Sequence, residues 1–293
     1  MRFVVGYLRD RRGEEAVRLA TTMAGAREAH LDIVVVLPSD EPTYDMYSPD
    51  RAYQAALEEQ AQGWLDHALA LVPPGISATG RIRHDDSITE GLMACATDPD
   101  LGTQAEAIIV GASSSGLLGQ LRIGSVAGAL LHASSVPVAL APSGYEASPS
   151  ITRITAALGQ GPGAQALLKT AIEAAAVRGI ALRLMSLVAL DDSADGDSKA
   201  AHLQRAEAHR DALVEQAQAA LPAGANVTGV IGTGRSLEDC VTSLDFEPSE
   251  LVLLGSGRLA PPHRVFLSAS AHRISRALPA PMVVVPRDDD PTG

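Results

Sequence analysis

The stretch AEAIIVGASSSGLLGQLRIGSVAGALLHASSVPVALAP at positions 105–142 decides the fold, because the chain contains it twice. The second version, at positions 249–286, reads SELVLLGSGRLAPPHRVFLSASAHRISRALPAPMVVVP. The two align without a gap, so that Gly111 matches Gly255 and Pro142 matches Pro286. Each version runs from a short apolar segment through a loop and a helical segment to a second apolar segment. That order is typical of a β-α-β unit in a parallel sheet.

The remainder of each half completes the same series of short apolar runs and longer helical patterns. In the first half we expect strands at 2–8, 31–37, 77–83, 107–111 and 136–141, and helices at 14–26, 51–71, 88–96 and 124–133. In the second half we expect strands at 153–158, 181–189, 227–231, 250–255 and 281–285, and helices at 164–176, 199–220, 237–244 and 264–277. The sequence therefore predicts an α/β fold: two tandem doubly wound, mostly parallel five-stranded sheets with helices on both faces. The predicted domains are 1–142 and 151–287, joined by a linker at 143–150 rich in Pro, Gly and Ser and followed by an acidic tail at 288–293.

Composition and charge exclude several classes of function. The 293 residues are 46% hydrophobic and carry a formal net charge of −12, which would repel the phosphates of nucleic acids and anionic membranes. No apolar stretch reaches the ~18 residues of a membrane span, and the N-terminal segment lacks the pattern of a secretory signal. The two cysteines, Cys95 and Cys240, predict buried reduced thiols. We therefore expect a cytoplasmic protein without nucleic-acid or membrane partners.

The loop after the fourth predicted strand has the chemistry of a phosphate site. Gly111 ends that strand, and Gly124 and Ser125 open the following helix. Glycines let the backbone approach a ligand, and the free N–H groups at a helix start favour an anion. Ser113 and Ser114 add hydroxyl donors. Sheets of this class bind ligands at the carboxyl ends of their strands, which is where this loop lies.

The spacing Gly111-x2-Ser114-x9-Gly124-Ser125 resembles the nucleotide-binding signature of universal stress proteins, Gly-x2-Gly-x9-Gly-(Ser/Thr). As in that family, a last strand with the core Val-Pro-Val follows, here at positions 136–138. The resemblance covers essentially the whole chain as two tandem domains. It implies a non-enzymatic stress-response or regulatory protein that binds ATP, with Mg²⁺, or another adenine nucleotide in its first domain, through the residues Gly111, Ser113, Ser114, Gly124 and Ser125.

The resemblance also implies how the halves associate. Domains of this family pair through their last strands, so we expect an internal pseudo-dimer in which positions 136–138 meet positions 280–282. We further expect two such chains to form a homodimer, because an exposed sheet edge gains backbone partners by pairing.

Both copies depart from the family pattern. ATP-binding members carry an aspartate at the end of the first strand, where this chain has Leu8 and, in the second copy, Leu158. Asp10 would substitute only if the turn bends back. In the second copy, the positions of the signature residues hold Arg258, Ser268 and Ala269, and Pro261-Pro262 remove two backbone donors. We therefore expect no nucleotide in the second copy.

The sequence leaves three hypotheses. The first is a nucleotide-responsive regulatory protein, and the second is a tandem scaffold that has lost ligand chemistry and acts through protein partners. The third and weakest is an enzyme at the turn 81–86, where His84 lies among charged residues. For that turn a polar loop with Ser87 as a helix cap is the simpler interpretation. Tyr44 and Tyr47 predict a surface loop, and Trp64 predicts a core residue.

Overall fold

The computed structural model describes residues 1–25, 28–39, 51–112, 121, 123–159, 163–190, 196–257, 260–261 and 263–287. The first half contains, in chain order, β1 (Arg2–Gly6), α1 (Arg11–Ala24), β2 (His30–Pro38), α2 (Arg51–Ala70), β3 (Ser77–Asp85), α3 (Ile88–Thr97), β4 (Ala107–Gly111), α4 (Ser125–Ala133) and β5 (Val138–Ala141). The second half repeats this order with β6 (Arg153–Ala157), α5 (Ala164–Arg178), β7 (Ala181–Ala189), α6 (Gly196–Ala220), β8 (Val227–Gly234), α7 (Leu237–Thr242), β9 (Glu250–Gly255), α8 (Ala269–Ala277) and β10 (Met282–Val285). The predicted fold class is confirmed, and none of the described helices is long and apolar enough to cross a bilayer.

The ten strands form one continuous sheet in the order β3-β2-β1-β4-β5-β10-β9-β6-β7-β8. Strands within each half are parallel, and the halves meet where β5 and β10 pair antiparallel. Met282 lies opposite Leu140, and Val284 lies opposite Val138. The paired residues are 138–140 and 282–284, two positions later in each half than the 136–138 and 280–282 that the family resemblance implies. The shift has a physical reason, because Pro137 and Pro281 have no N–H to donate and the strands begin after them.

Side chains that alternate along the strands pack under two helical layers. On one face α1, α2, α5 and α6 cover a cluster that includes Phe3 and Val5, and on the other α3, α4, α7 and α8 cover one that includes Val4. Trp64 packs against the first cluster, as predicted. Cys95 and Cys240 are buried free thiols whose pKa values are raised by that burial, so they remain protonated at neutral pH.

The prediction for the last helix was wrong at its start. The sequence pattern places that start at Arg264, whereas α8 begins at Ala269 behind the cap residue Ser268. The preceding backbone is used elsewhere: the N–H of Val265 donates to the carbonyl of Ser134, and the N–H of Leu267 to that of Leu131. These tertiary hydrogen bonds replace the helical ones that the local pattern favours.

Each half buries one charged cluster between its strands. In the first half, Asp32 on β2 accepts hydrogen bonds from Arg2 (3.0 Å) and Arg81 (2.8 Å). Arg2 also donates to the carbonyls of Cys95 and Ala96, at the end of α3. The cluster therefore ties three neighbouring strands to the helix behind them.

The second half has a cluster of opposite polarity. Arg183 on β7 is the counterpart of Asp32 on β2. The equivalent residues Val4 and Thr155, on the first strand of each half, pair with Asp32 and Arg183 respectively. The carboxylate comes instead from Glu250 on β9, which is fully buried and 2.5 Å from both Arg183 and Arg153. A cation at the centre of one half thus corresponds to an anion at the centre of the other.

Acid is expected to remove the stabilisation that Asp32 provides. Burial opposes ionisation of this carboxyl, but the hydrogen bonds from Arg81 and Arg2 outweigh it and hold its pKa below the ordinary value. A depressed folded-state pKa stabilises the fold fully above the unfolded-state pKa and loses that effect as the pH falls through the folded-state value. Chemical unfolding of the wild type and Asp32→Asn should therefore give a stability difference that is constant from pH 7 to about 5 and narrows below about 4. A difference that stays the same at pH 3 would contradict this assignment.

Candidate functional site

The candidate site of the first half lies at the carboxyl ends of β1, β2 and β4, where the starts of α1, α3 and α4 converge. It is a cavity of about 70 Å³. Its walls are Gly6, Tyr7, Leu8, Asp10, Arg12, Gly13, Val34, Val36, Ile88, Val110, Gly111 and Val126. The structure thus brings Gly111 and the first turn of α4 to the same cavity, as the sequence predicts.

Gly111 is needed here for close packing of the protein against itself. A Cβ atom at Gly111 would lie 2.2 Å from the carbonyl oxygen of Arg12, on α1. A Cβ at Gly13 would lie 2.0 Å from the carbonyl oxygen of Leu8, so this glycine lets the turn between β1 and α1 close tightly. Gly111 lets the start of α1 sit against the end of β4. Gly13 was not predicted as a residue of this site.

Asp10 does not take the role of the aspartate that the family resemblance implies at position 8, two residues earlier. Its carboxylate caps α1 by accepting a hydrogen bond from the N–H of Gly13 (3.0 Å), and it pairs with Arg12. Leu8 lines the cavity with a half-buried apolar side chain. The carboxylate of Asp10 is therefore engaged at the start of α1, and position 8 gives the cavity an apolar wall.

The start of α4 keeps the feature that favours an anion. Gly124 is its N-cap residue, and no side chain described here caps this helix. Ser125 is exposed as the first helical residue. The predicted contacts Ser113 and Ser114 lie outside the described residues, as do Tyr44 and Tyr47. Of the predicted site, Gly111, Gly124 and Ser125 are therefore placed by the structure at one end of the sheet.

In the described part of the corresponding loop of the second half, a backbone donor is already bonded within the protein. The N–H of Gly257 donates to the carbonyl of Phe266 (2.8 Å). Ser268 caps α8 by accepting from Ala271 (3.1 Å), at the position where α4 has Gly124. A phosphate would find these donors already bonded, which supports the expectation that this copy holds no nucleotide.

The same loop holds the first half in place. Besides the backbone bonds from Val265 and Leu267, the guanidinium of Arg264 donates to the carbonyl of Ala133 (2.5 Å) at the end of α4. The rings of His132 and Phe266 meet edge to face, with centroids 5.0 Å apart. A cation and two N–H groups at a helix C-terminus satisfy carbonyls that the helix itself leaves open. The loop has become an inter-domain contact.

Other candidates from the sequence have structural roles. Ser87 caps α3 by accepting from the N–H of Glu90 (3.1 Å), as predicted. The imidazole of His84 lies 3.6 Å from Glu58 on the surface. Among the residues that the structure describes, no group of three or more His, Cys, Asp or Glu could hold a metal ion.

Comparison with known proteins agrees with this architecture. The model of the universal stress protein family matches residues 1–142 and 150–286. Universal stress protein Rv2319c of Mycobacterium tuberculosis and Universal stress protein Mb2346c of Mycobacterium bovis are each 25% identical over 302 residues, covering 98% of this chain and the whole of the relative. The crystal structure of a universal stress protein from Archaeoglobus fulgidus superposes on this protein with a TM-score of 0.64 and 16% sequence identity. The match covers 99% of this chain and 97% of the Archaeoglobus fulgidus chain.

The fold, the repeated loop and the two family matches lead to one conclusion. The chain belongs to the universal stress protein family and carries two of its domains in one polypeptide.

Proposed function

We propose that this protein is a tandem scaffold of the universal stress family that acts by binding a protein partner, with no adenine nucleotide in its first half. The observation that carries the proposal is the size of the first-half cavity. At about 70 Å³ it is far below the ~300–1,000 Å³ of ordinary small-molecule sites. The packing of Arg12 against Gly111 closes the space, and Leu8 takes the position of the family aspartate.

Nucleotide binding in the first half is the second candidate. The uncapped start of α4 at Gly124 and Ser125 supports it, since backbone N–H groups there suit a phosphate. ATP with Mg²⁺ would then bind at Gly111, Ser113, Ser114, Gly124 and Ser125. Neither candidate includes a catalytic step, and a cytoplasmic homodimer stays a prediction in both.

The experiment that separates the two candidates looks for a nucleotide. We expect freshly purified protein, once denatured, to release no stoichiometric adenine nucleotide detectable by mass spectrometry, and calorimetric titration with Mg-ATP to give no saturable heat. Saturable binding that disappears in Ser125→Ala would overturn the scaffold proposal and establish the nucleotide site. The matched control is Ala269→Ser in the second half, which restores the family hydroxyl at the position of Ser125 and leaves either outcome unchanged.

A further inference from the structure

A cavity of about 620 Å³ opens along α5 in the second half. The side chains of Leu167 and Val285 contribute apolar walls, and the chain leaving β10 borders it at Pro286 and Arg287. The cavity is roughly nine times as large as the one at the candidate nucleotide site and within the size range of ordinary ligand pockets. Gly255, the counterpart of Gly111, also lies on its wall.

The matching surface of the first half is filled by the chain itself. The linker runs along α1, where the N–H of Gly144 donates to the carboxylate of Glu15 (2.5 Å) and the N–H of Ser148 to the hydroxyl of Thr22 (3.0 Å). Tyr145 is 6% exposed and joins the apolar cluster that contains Leu19. An extended segment with one aromatic side chain thus covers this face of α1 and buries it completely.

Within the part of the chain that the structure describes, no segment covers the equivalent face of α5. Arg2 on β1 and Arg153 on β6 are equivalent positions, because they pair with the first residues of β2 and β7, His30 and Ala181. Counting along the chain from these two positions makes Ala166, Thr170 and Glu173 of α5 the counterparts of Glu15, Leu19 and Thr22 of α1. The three α1 residues are at most 1% exposed, whereas all three α5 residues line the open cavity. Val177 continues the stripe one turn further and is 65% exposed, unusual for a large apolar side chain. We define these four residues, Ala166, Thr170, Glu173 and Val177, as the α5 groove.

We propose that the α5 groove binds an extended segment of a partner protein that carries an aromatic side chain. This inference rests on the proposed scaffold function and names its binding site. The aromatic side chain follows from the first half, where Tyr145 is buried in the corresponding space.

The occupant is expected to come from another molecule. The residues that follow Arg287 in the sequence begin with Asp288, Asp289 and Asp290 and include no aromatic residue. They therefore lack the ring that the linker segment places on the matching surface of the first half. The same aspartates become one arm of the test.

The test uses a fluorescent peptide with the sequence of residues 142–151, the segment that covers the matching surface of the first half. Fluorescence anisotropy with the full chain is expected to show saturable binding. The variant Thr170→Trp fills the groove and should weaken binding at least tenfold. Gln218→Trp places the same ring on an exposed position of α6 outside the groove and should bind like the wild type. A peptide with alanine in place of the tyrosine should also bind at least tenfold more weakly.

Three outcomes would overturn the proposal. The first is no saturable binding up to millimolar peptide, and the second is binding that Thr170→Trp does not change. The third is binding that appears only when Asp288, Asp289 and Asp290 are all replaced by asparagine, which would identify the chain's own tail as the occupant. Failure of the scaffold proposal is a separate result, because Mg-ATP binding is measured at the other half of the molecule.

Discussion

Replacing Glu250 with alanine is expected to lower the free energy of unfolding by about 3–5 kcal/mol, the usual loss when one partner of a buried ion pair is removed. Glu250 is fully buried and accepts from Arg183, Arg153, the hydroxyl of Thr155 and the N–H of Glu247. Burial lowers the pKa of Arg183, and the charge of Glu250 opposes that shift. Without the carboxylate, the Arg183 guanidinium would remain charged and buried with its main counter-ion gone.

The matched control is Glu247→Ala, three residues earlier. Its carboxylate also pairs with Arg153, at 2.6 Å, but its side chain is 52% exposed. Exposed pairs of this kind contribute about 0–1 kcal/mol, so this variant should unfold close to the wild type. Urea unfolding of the wild type, Glu250→Ala and Glu247→Ala measures the free energy of unfolding of each. Equal losses in both variants would show that burial is not what makes the Glu250 cluster important.

Gly111→Ala is expected to destabilise the protein by about 3 kcal/mol, the upper end of the range for overpacking a core, because the obstacle is backbone rather than a movable side chain. The new methyl group would lie 2.2 Å from the carbonyl oxygen of Arg12, so α1 would have to move away from β4. The loss should be the same with and without added ATP, as measured by thermal or chemical unfolding.

The repeat supplies the control for this prediction. Gly255 occupies the same place at the end of β9, but a Cβ atom there would meet only the side chain of Leu167, at 3.6 Å and 3.8 Å. Gly255→Ala should therefore be neutral or stabilise the protein by up to about 1 kcal/mol, since alanine restricts the unfolded chain more than glycine does. A Gly111→Ala variant as stable as Gly255→Ala would contradict the packing role of Gly111. A ligand contact would then be the better explanation of this glycine.

Most of the fold could be predicted because its strands carry their own signal. The mostly apolar runs that form β4, β7 and β9 have the predicted limits, since strands covered by helices on both faces need mainly apolar side chains. The duplication is visible for the same reason, because each half must bury the same surfaces. The start of α8 could not be predicted, since the backbone N–H groups of Val265 and Leu267 donate to carbonyls at the end of α4, in the other half of the chain.

The candidate site was less accessible to sequence analysis, because a glycine has no side chain to reveal its neighbour. Gly111 fits the spacing of a phosphate loop, but the atom it makes room for is a carbonyl of α1. The buried clusters did leave a trace, since Asp32 and Arg183 interrupt apolar strands with a charge. Such a charge predicts a partner but not which strand supplies it, and here one half uses β1 and β3 whereas the other uses β9.

The two ends of the ten-stranded sheet differ, although the antiparallel junction of β5 and β10 relates the halves by a pseudo-two-fold axis. Two identical domains joined through their last strands would present the same edge at both ends. This sheet instead ends in β3, which carries Arg81, Arg83 and His84, and in β8, whose sequence VTGVIGTG is uncharged. Contacts between like ends close into a pair, whereas contacts between unlike ends continue into a filament. The fused chain is therefore not two-fold symmetric, as a homodimer of single domains would be. A mutation can change one end of the sheet without changing the other.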